Sequence, residues 1–157
     1  MKTLCLYYTR TNTTKAAMEQ LAQYLDADIA AYTDGKDRSG LFGYISCCFA
    51  SADKLASRMQ IGEDVDLSSY ERVIIGMPVW AEGPCAVGRA FLIRFKEQLP
   101  SDVAFLITHS GKNDYEQKIL NLDSLLKTPH TAHLSLRTKE NETADQQIRA
   151  FADRLKA

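Results

Sequence analysis

RVIIGMPVWAEGP, residues 72–84, joins an apolar run, Val73-Ile74-Ile75-Gly76-Met77, to a proline, the only tryptophan and a second proline. A run so short, so uniformly apolar and so rich in β-branched residues reads as a strand buried on both faces. Its expected span is Arg72 to Met77, with Pro78 closing it because proline has no N–H for the ladder. A strand buried on both faces needs helices on both sides, so the flanking sequence should alternate strand with helix.

It does. Thr3 to Tyr8 and Val103 to Thr108 are runs of the same kind, and Asp28 to Tyr32 and His130 to Leu136 are weaker strands. From Lys15 onward Ala17, Leu21, Ala22 and Leu25 recur at helical spacing, behind a cap supplied by Asn12 or a neighbouring threonine. Tyr44 to Met59, Cys85 to Gln98, Tyr115 to Leu126 and Glu140 to Lys156 complete five helices; in the last, Ile148, Phe151, Ala152 and Leu155 share a face. Thr33 to Gly43 reads as a loop. Five strands alternating with five helices predict a doubly wound α/β fold with a parallel sheet.

The 157 residues fit one domain, 1–157, and 45% hydrophobic with 25% charged residues exclude a disordered chain. A formal charge of −1 gives no bulk field to attract nucleic acid or anionic lipid. Cys5, Cys47, Cys48 and Cys85 lack C-x-x-C spacing, so no metal is expected. The opening MKTLCLYYTR is too short for a secretory signal core, and no run of about 18 apolar residues occurs. The expected location is the cytoplasm, with reduced thiols.

In a doubly wound sheet ligands bind beyond the carboxyl ends of the strands, where the strand order reverses. Thr9, Arg10, Thr11, Asn12, Thr13 and Thr14 put hydroxyls and free amides at a helix start, a cradle suited to a phosphate or to simple capping. P-loop and dinucleotide glycine spacings are absent, which favours a monophosphate. Pro78, Val79, Trp80 and Ala81 place an aromatic ring on a rigid loop, to face a planar ligand or to fold over the core. His109, Ser110 and Gly111 form the third strand-end turn, where a glycine permits backbone conformations closed to other residues.

The stretch Thr9 to Thr14 resembles the phosphate loop of the flavodoxin family: hydroxyl, any residue, Thr, Gly, Asn, Thr. Thr9, Thr11 and Thr14 match; Asn12 replaces the glycine and Thr13 the asparagine. Gly76-Met77-Pro78-Val79-Trp80-Ala81, with the later Phe91-Leu92, is similar to the G-x-P-V-W-A stretch and following helix of short flavodoxin-like proteins. The resemblance spans the chain and implies a five-stranded parallel sheet of order 2-1-3-4-5. FMN is the implied cofactor, its phosphate on Thr9–Thr14, its ring against Pro78–Ala81 and its polar edge at His109–Gly111.

That resemblance implies electron transfer through bound flavin, with a redox partner protein or a small-molecule acceptor. The alternatives are an NAD(P)H:quinone-type reductase, or a module that has lost FMN and binds proteins. No residue set for a hydride donor is recognisable, and no catalytic residue is assigned. Carriers of the family are strongly acidic; here Arg10, Lys36, Arg38 and Lys112 mingle with Asp34, Asp37, Glu82 and Asp114. Cys85 stands at a helix start, where a dipole can lower a thiol pKa, though packing is the expected role of all four cysteines. His130 and His133, oddly spaced on a strand, are expected to face opposite sides. The acidic run Glu63, Asp64, Asp66, Glu71 is expected to be a solvated face remote from the site.

Overall fold

The computed structural model describes residues 1–81, 83–139 and 141–157. Five parallel strands form its sheet: β1 (Thr3–Tyr7), β2 (Asp28–Thr33), β4 (Arg72–Trp80), β6 (Asp102–His109) and β7 (Ala132–Arg137). They lie in the order β2-β1-β4-β6-β7, which is the expected 2-1-3-4-5. Two two-residue strands, β3 (Gln60–Ile61) on β2 and β5 (Gly83–Pro84) on β4, pair antiparallel, so the sheet has seven strands rather than five. Glu82 and Glu140 lie outside the described residues.

Side chains alternate across the sheet into two separate cores. Leu4, Leu6, Val73, Ile75 and Phe105 point to one face, where they meet Phe91 and Leu92 of α4 (Ala86–Phe95). Cys5, Ile74, Ala104 and Leu106 point to the other. There they meet Met18 and Leu21 of α1 (Thr13–Leu25) and Phe151 of α6 (Asn141–Lys156). Burial on both faces is why these strands read as continuous apolar runs.

The chain departs from expectation in several places. β4 does not stop at Met77 but runs through Pro78 to Trp80. Its neighbour β1 ends opposite Gly76, so no β1 carbonyl awaits the N–H that Pro78 lacks, and the Pro78 carbonyl accepts instead from the Cys85 N–H beside β5. The segment 44–59 is not one helix. α2 (Gly40–Cys48) starts four residues earlier behind Ser39, and an extended Ser51 separates it from α3 (Ala52–Leu55) and a 3-10 turn, Ala56–Arg58. α5 is short, Glu116–Leu120, and tightens into a 3-10 turn over Asn121–Leu125. The acidic run is exposed, as expected, and Asp66 caps the 3-10 turn Leu67–Ser69.

His130 and His133 do not face apart. His130 Nε2 lies 2.7 Å from His133 Nδ1, while His130 Nδ1 is 2.6 Å from Asp123 Oδ1 and His133 Nε2 is 2.9 Å from Glu116 Oε2. His130 precedes the first residue of β7, so strand alternation never governs it. The row runs from Asp123 to Glu116 through both rings. It ties α5 to β7. Among the described residues no group of three or more His, Cys, Asp or Glu is arranged to hold a metal.

Phe91 is fully buried, with its ring 4.6 Å from that of Tyr32 and 5.1 Å from that of Phe95. Phe91→Ala should cost about 3–5 kcal/mol of stability, read as a lower midpoint in urea unfolding.

Candidate functional site

Three loops leave the carboxyl ends of β1, β4 and β6 side by side, because Tyr7 lies opposite Gly76 and Pro78 opposite Thr108 in the ladder. Between them is a small cavity of about 170 Å³ lined mainly by hydroxyls. Thr9, Arg10, Thr11, Thr13 and Thr14 form one wall, Pro78, Val79 and Trp80 another, and Thr108, His109, Ser110 and Thr138 the rest. Val79, Trp80, Arg10, His109 and Ser110 also border a second cavity of about 480 Å³, completed by Tyr44, Cys47, Cys48, Ala81, Gly111 and Tyr115. Every residue singled out from the sequence lines one of the two except Asn12.

Asn12 acts through its backbone. It holds φ 65° and ψ 2°, the left-handed region where asparagine is among the few tolerated side chains, and its side chain makes no capping bond. The expectation of a side-chain cap from Asn12 therefore fails, while its fitness for a glycine position holds. The first turn of α1 has no acidic residue, so its amides and positive dipole end are uncompensated within the helix. The buried Thr9 Oγ1 has no hydrogen-bond partner, a costly state that a ligand oxygen would relieve. Thr14 differs: its buried hydroxyl bonds Thr108 Oγ1 at 2.7 Å, fastening the loop to β6.

Trp80, expected on a loop, is the half-buried last residue of β4. It packs on the core, edge-on to Tyr8 at 5.6 Å, and also walls both cavities. Arg38 lies 5.3 Å over the indole and forms a bidentate pair with Asp34, both bonds 2.6 Å, with both side chains nearly solvent-free. Burial pushes the Asp34 carboxyl up, but the Arg38 hydrogen bonds and charge, with the Lys36 N–H, outweigh it and leave the group below its ordinary range. Asp34 and Arg38 thus drop out of the mixed surface charge expected around the site. Just after Trp80, Ala81 takes a left-handed φ of 55°, a second strained turn at the rim.

His109 places Nδ1 3.1 Å from the Gly111 carbonyl and Nε2 3.0 Å from Ser135 Oγ. A carbonyl only accepts, so the neutral ring carries its proton on Nδ1 and Nε2 accepts from the serine. Burial, with the nearby Arg137 charge, lowers its pKa below 6.5 despite the Gly111 bond. Gly111 is not in the left-handed region; its lack of a Cβ instead leaves room for the Tyr115 hydroxyl, which would stand 3.0 Å from one. Cys85 is no reactive thiol: burial pushes it up to about 12, and its Sγ accepts from the Gly88 N–H. Cys5 is likewise pushed up to about 12, Cys47 is buried and Cys48 exposed.

Sequence reasoning missed Tyr44, Cys47, Cys48 and Tyr115, whose approach depends on where α2 and α5 break. Thr138 was within reach of the carboxyl-edge rule, applied to β7 as it was to β1, β4 and β6.

No protein-family model matches the sequence, and neither does any curated protein. Solved structures do. A flavoprotein in complex with FMN from Lactobacillus acidophilus NCFM superposes with a TM-score of 0.68 at 21% identity, covering 96% of this chain and 98% of that one. Two-electron reduced Megasphaera elsdenii flavodoxin gives 0.57 at 10% identity, with 96% and 98% covered. The fold is flavodoxin-like. A flavodoxin from the domain Archaea agrees, at 0.57 and 11% over the whole of both chains.

Asn12→Val should destabilise the flavodoxin-like domain by about 1–2 kcal/mol in urea unfolding, whereas Asn12→Gly keeps the turn. By proton NMR the His109 ring should titrate below 6.5. Because the folded protein binds that proton less readily than the unfolded chain, His109 contributes stability above pH 6.5 that is lost as pH falls towards the folded-state value. His109→Gln should flatten that part of the pH–stability curve.

Proposed function

We propose that this chain binds FMN and passes electrons through it to a separate redox partner. The observation that carries the reading is the pairing of cavities at one sheet edge. One is small and hydroxyl-lined, with the orphaned Thr9 hydroxyl and an uncompensated helix start; the other is larger and walled by aromatic rings. A monophosphate ester of a planar ring system fits that division. The Lactobacillus acidophilus flavoprotein, solved with FMN, supports the choice of ligand.

Thr9, Thr11 and Thr13, with the first amides of α1, would hold the phosphate, and Arg10 would add charge beside it. Thr14 supports them through Thr108. Val79, Trp80 and Ala81 would flank the ring, and His109, Ser110 and Gly111 would meet its polar edge. Bound FMN supplies the capacity to accept and release one or two electrons. The chain sets how readily it does so: a neutral His109 offers no counter-charge at the polar edge, which disfavours added negative charge and lowers the potential. Trp80, fixed by Tyr8 and the Asp34–Arg38 pair, excludes water from the ring. Asn12 keeps the glycine-like turn, which argues against loss of FMN through that substitution.

Titration of the purified chain into FMN should quench flavin fluorescence at micromolar concentration; absence of quenching overturns the reading. Trp80→Ala should weaken binding by about 1–3 kcal/mol, as for bases stacked on aromatic rings. Thr11→Val should weaken it by about 1.5–3 kcal/mol, the scale of a hydrogen bond to an anion. Reduction that needs an added reductase supports a carrier, whereas unaided turnover of NADPH with a quinone makes the protein a reductase instead.

A further inference from the structure

Ser39 to Ala52 is the longest stretch without a charged residue in a chain that is one-quarter charged, and it lies on the surface. α2 turns only Gly43 and Cys47 inward. Leu41 is 72% exposed, Phe42 87%, Tyr44 58%, Ile45 45% and the adjoining Phe49 83%. The helix cannot roll to hide them. A Cβ at position 43 would collide with the Arg38 backbone, so the glycine marks the one face that fits against the loop.

At roughly 150–250 Å² for an aromatic side chain, this patch offers on the order of 600 Å² of apolar surface, the top of the range that a monomer ordinarily exposes. With its rim it approaches the roughly 800 Å² per partner of a stable protein interface. Charge selects the occupant. A two-fold contact sets residues near the axis against their own copies, so a charge there repels itself; no residue from Ser39 to Ala52 carries one, and the Arg10 guanidinium over the Tyr44 ring stands at the cavity edge of the patch. Its exposed flanks carry both signs in adjacent pairs, Lys36 with Asp37 and Asp53 with Lys54, able to match across an axis. A helix seated on anionic lipid would instead be flanked by an excess of Lys and Arg.

We infer that α2 is the contact face of a two-fold dimer of this chain. Tyr44 and Cys48 belong both to α2 and to the wall of the larger cavity, so a second copy seated there steadies that wall. FMN and the second copy should then each strengthen binding of the other. This linkage rests on the FMN reading; the contact itself does not.

The test is sedimentation velocity of the full chain, with and without FMN, from low to hundreds of micromolar. The wild type should move towards twice the mass of one chain as concentration rises, and sooner with FMN. The double variant Phe42→Asp, Phe49→Asp should raise the dimer dissociation constant by about a hundredfold or more, since it sets like charges against each other. Its circular dichroism should be unchanged, because both side chains are exposed. A wild type that stays monomeric throughout overturns the dimer, as does a folded double variant that still pairs. A monomeric wild type that floats with phosphatidylcholine vesicles overturns it in favour of a lipid surface. If FMN does not bind, the cofactor reading fails while sedimentation still decides the contact.

Discussion

β4 is hydrogen-bonded to β1 on one side and β6 on the other, and its side chains enter two separate cores. Such a strand has no room for polar chemistry along its length, since an unpaired polar group between helix and sheet would cost several kcal/mol. The chemistry is driven to where the ladder runs out. β1 stops opposite Gly76 while β4 continues to Trp80, and this difference in length opens the notch that the hydroxyl loop, the tryptophan loop and the His109 turn surround.

The rim of that notch is held under strain. Asn12 and Ala81, on opposite loops, both take left-handed conformations that cost non-glycine residues about 1–2 kcal/mol each. Strain of this kind persists only where the surroundings over-determine the backbone. Here Thr14 is fastened to Thr108, and Trp80 is wedged between Tyr8 and the Arg38 guanidinium, itself locked by Asp34. An ion pair buried this deeply is weak evidence of added stability, because desolvation offsets most of its attraction. Its plainer effect is geometric: it fixes the back of the indole.

The strand order and two-faced core were legible because a buried parallel strand writes itself as an unbroken apolar run, as in Val73–Met77 and Val103–Thr108. The site's loops were legible by position, since the carboxyl-edge rule depends only on strand order. What escaped depends on tertiary context. Nothing local says that Pro78 can stay in a strand; the early end of β1 permits it. The helical pattern of 44–59 continues across Ser51, where the backbone turns extended, and that break carries Tyr44, Cys47 and Cys48 to the larger cavity. His130 was misplaced for the converse reason: a period-two rule was applied two residues before the strand began.

The electrostatics of the site also follow from burial more than from composition. Counting charges along the sequence gives Asp34 and Arg38 as part of a mixed surface, yet the fold removes both and cancels one against the other. Desolvation and the Arg137 charge disfavour the protonated form of His109. The sheet edge is left with Arg10 as the cation that reaches both cavities, and its guanidinium lies 5.6 Å over the Tyr44 ring at the start of the apolar helix. One residue therefore touches the hydroxyl-lined cavity, the aromatic-walled cavity and the uncharged face of α2. A change in how α2 is covered has a direct physical route to the cavities through Arg10, because moving Tyr44 moves the surface on which that cation rests.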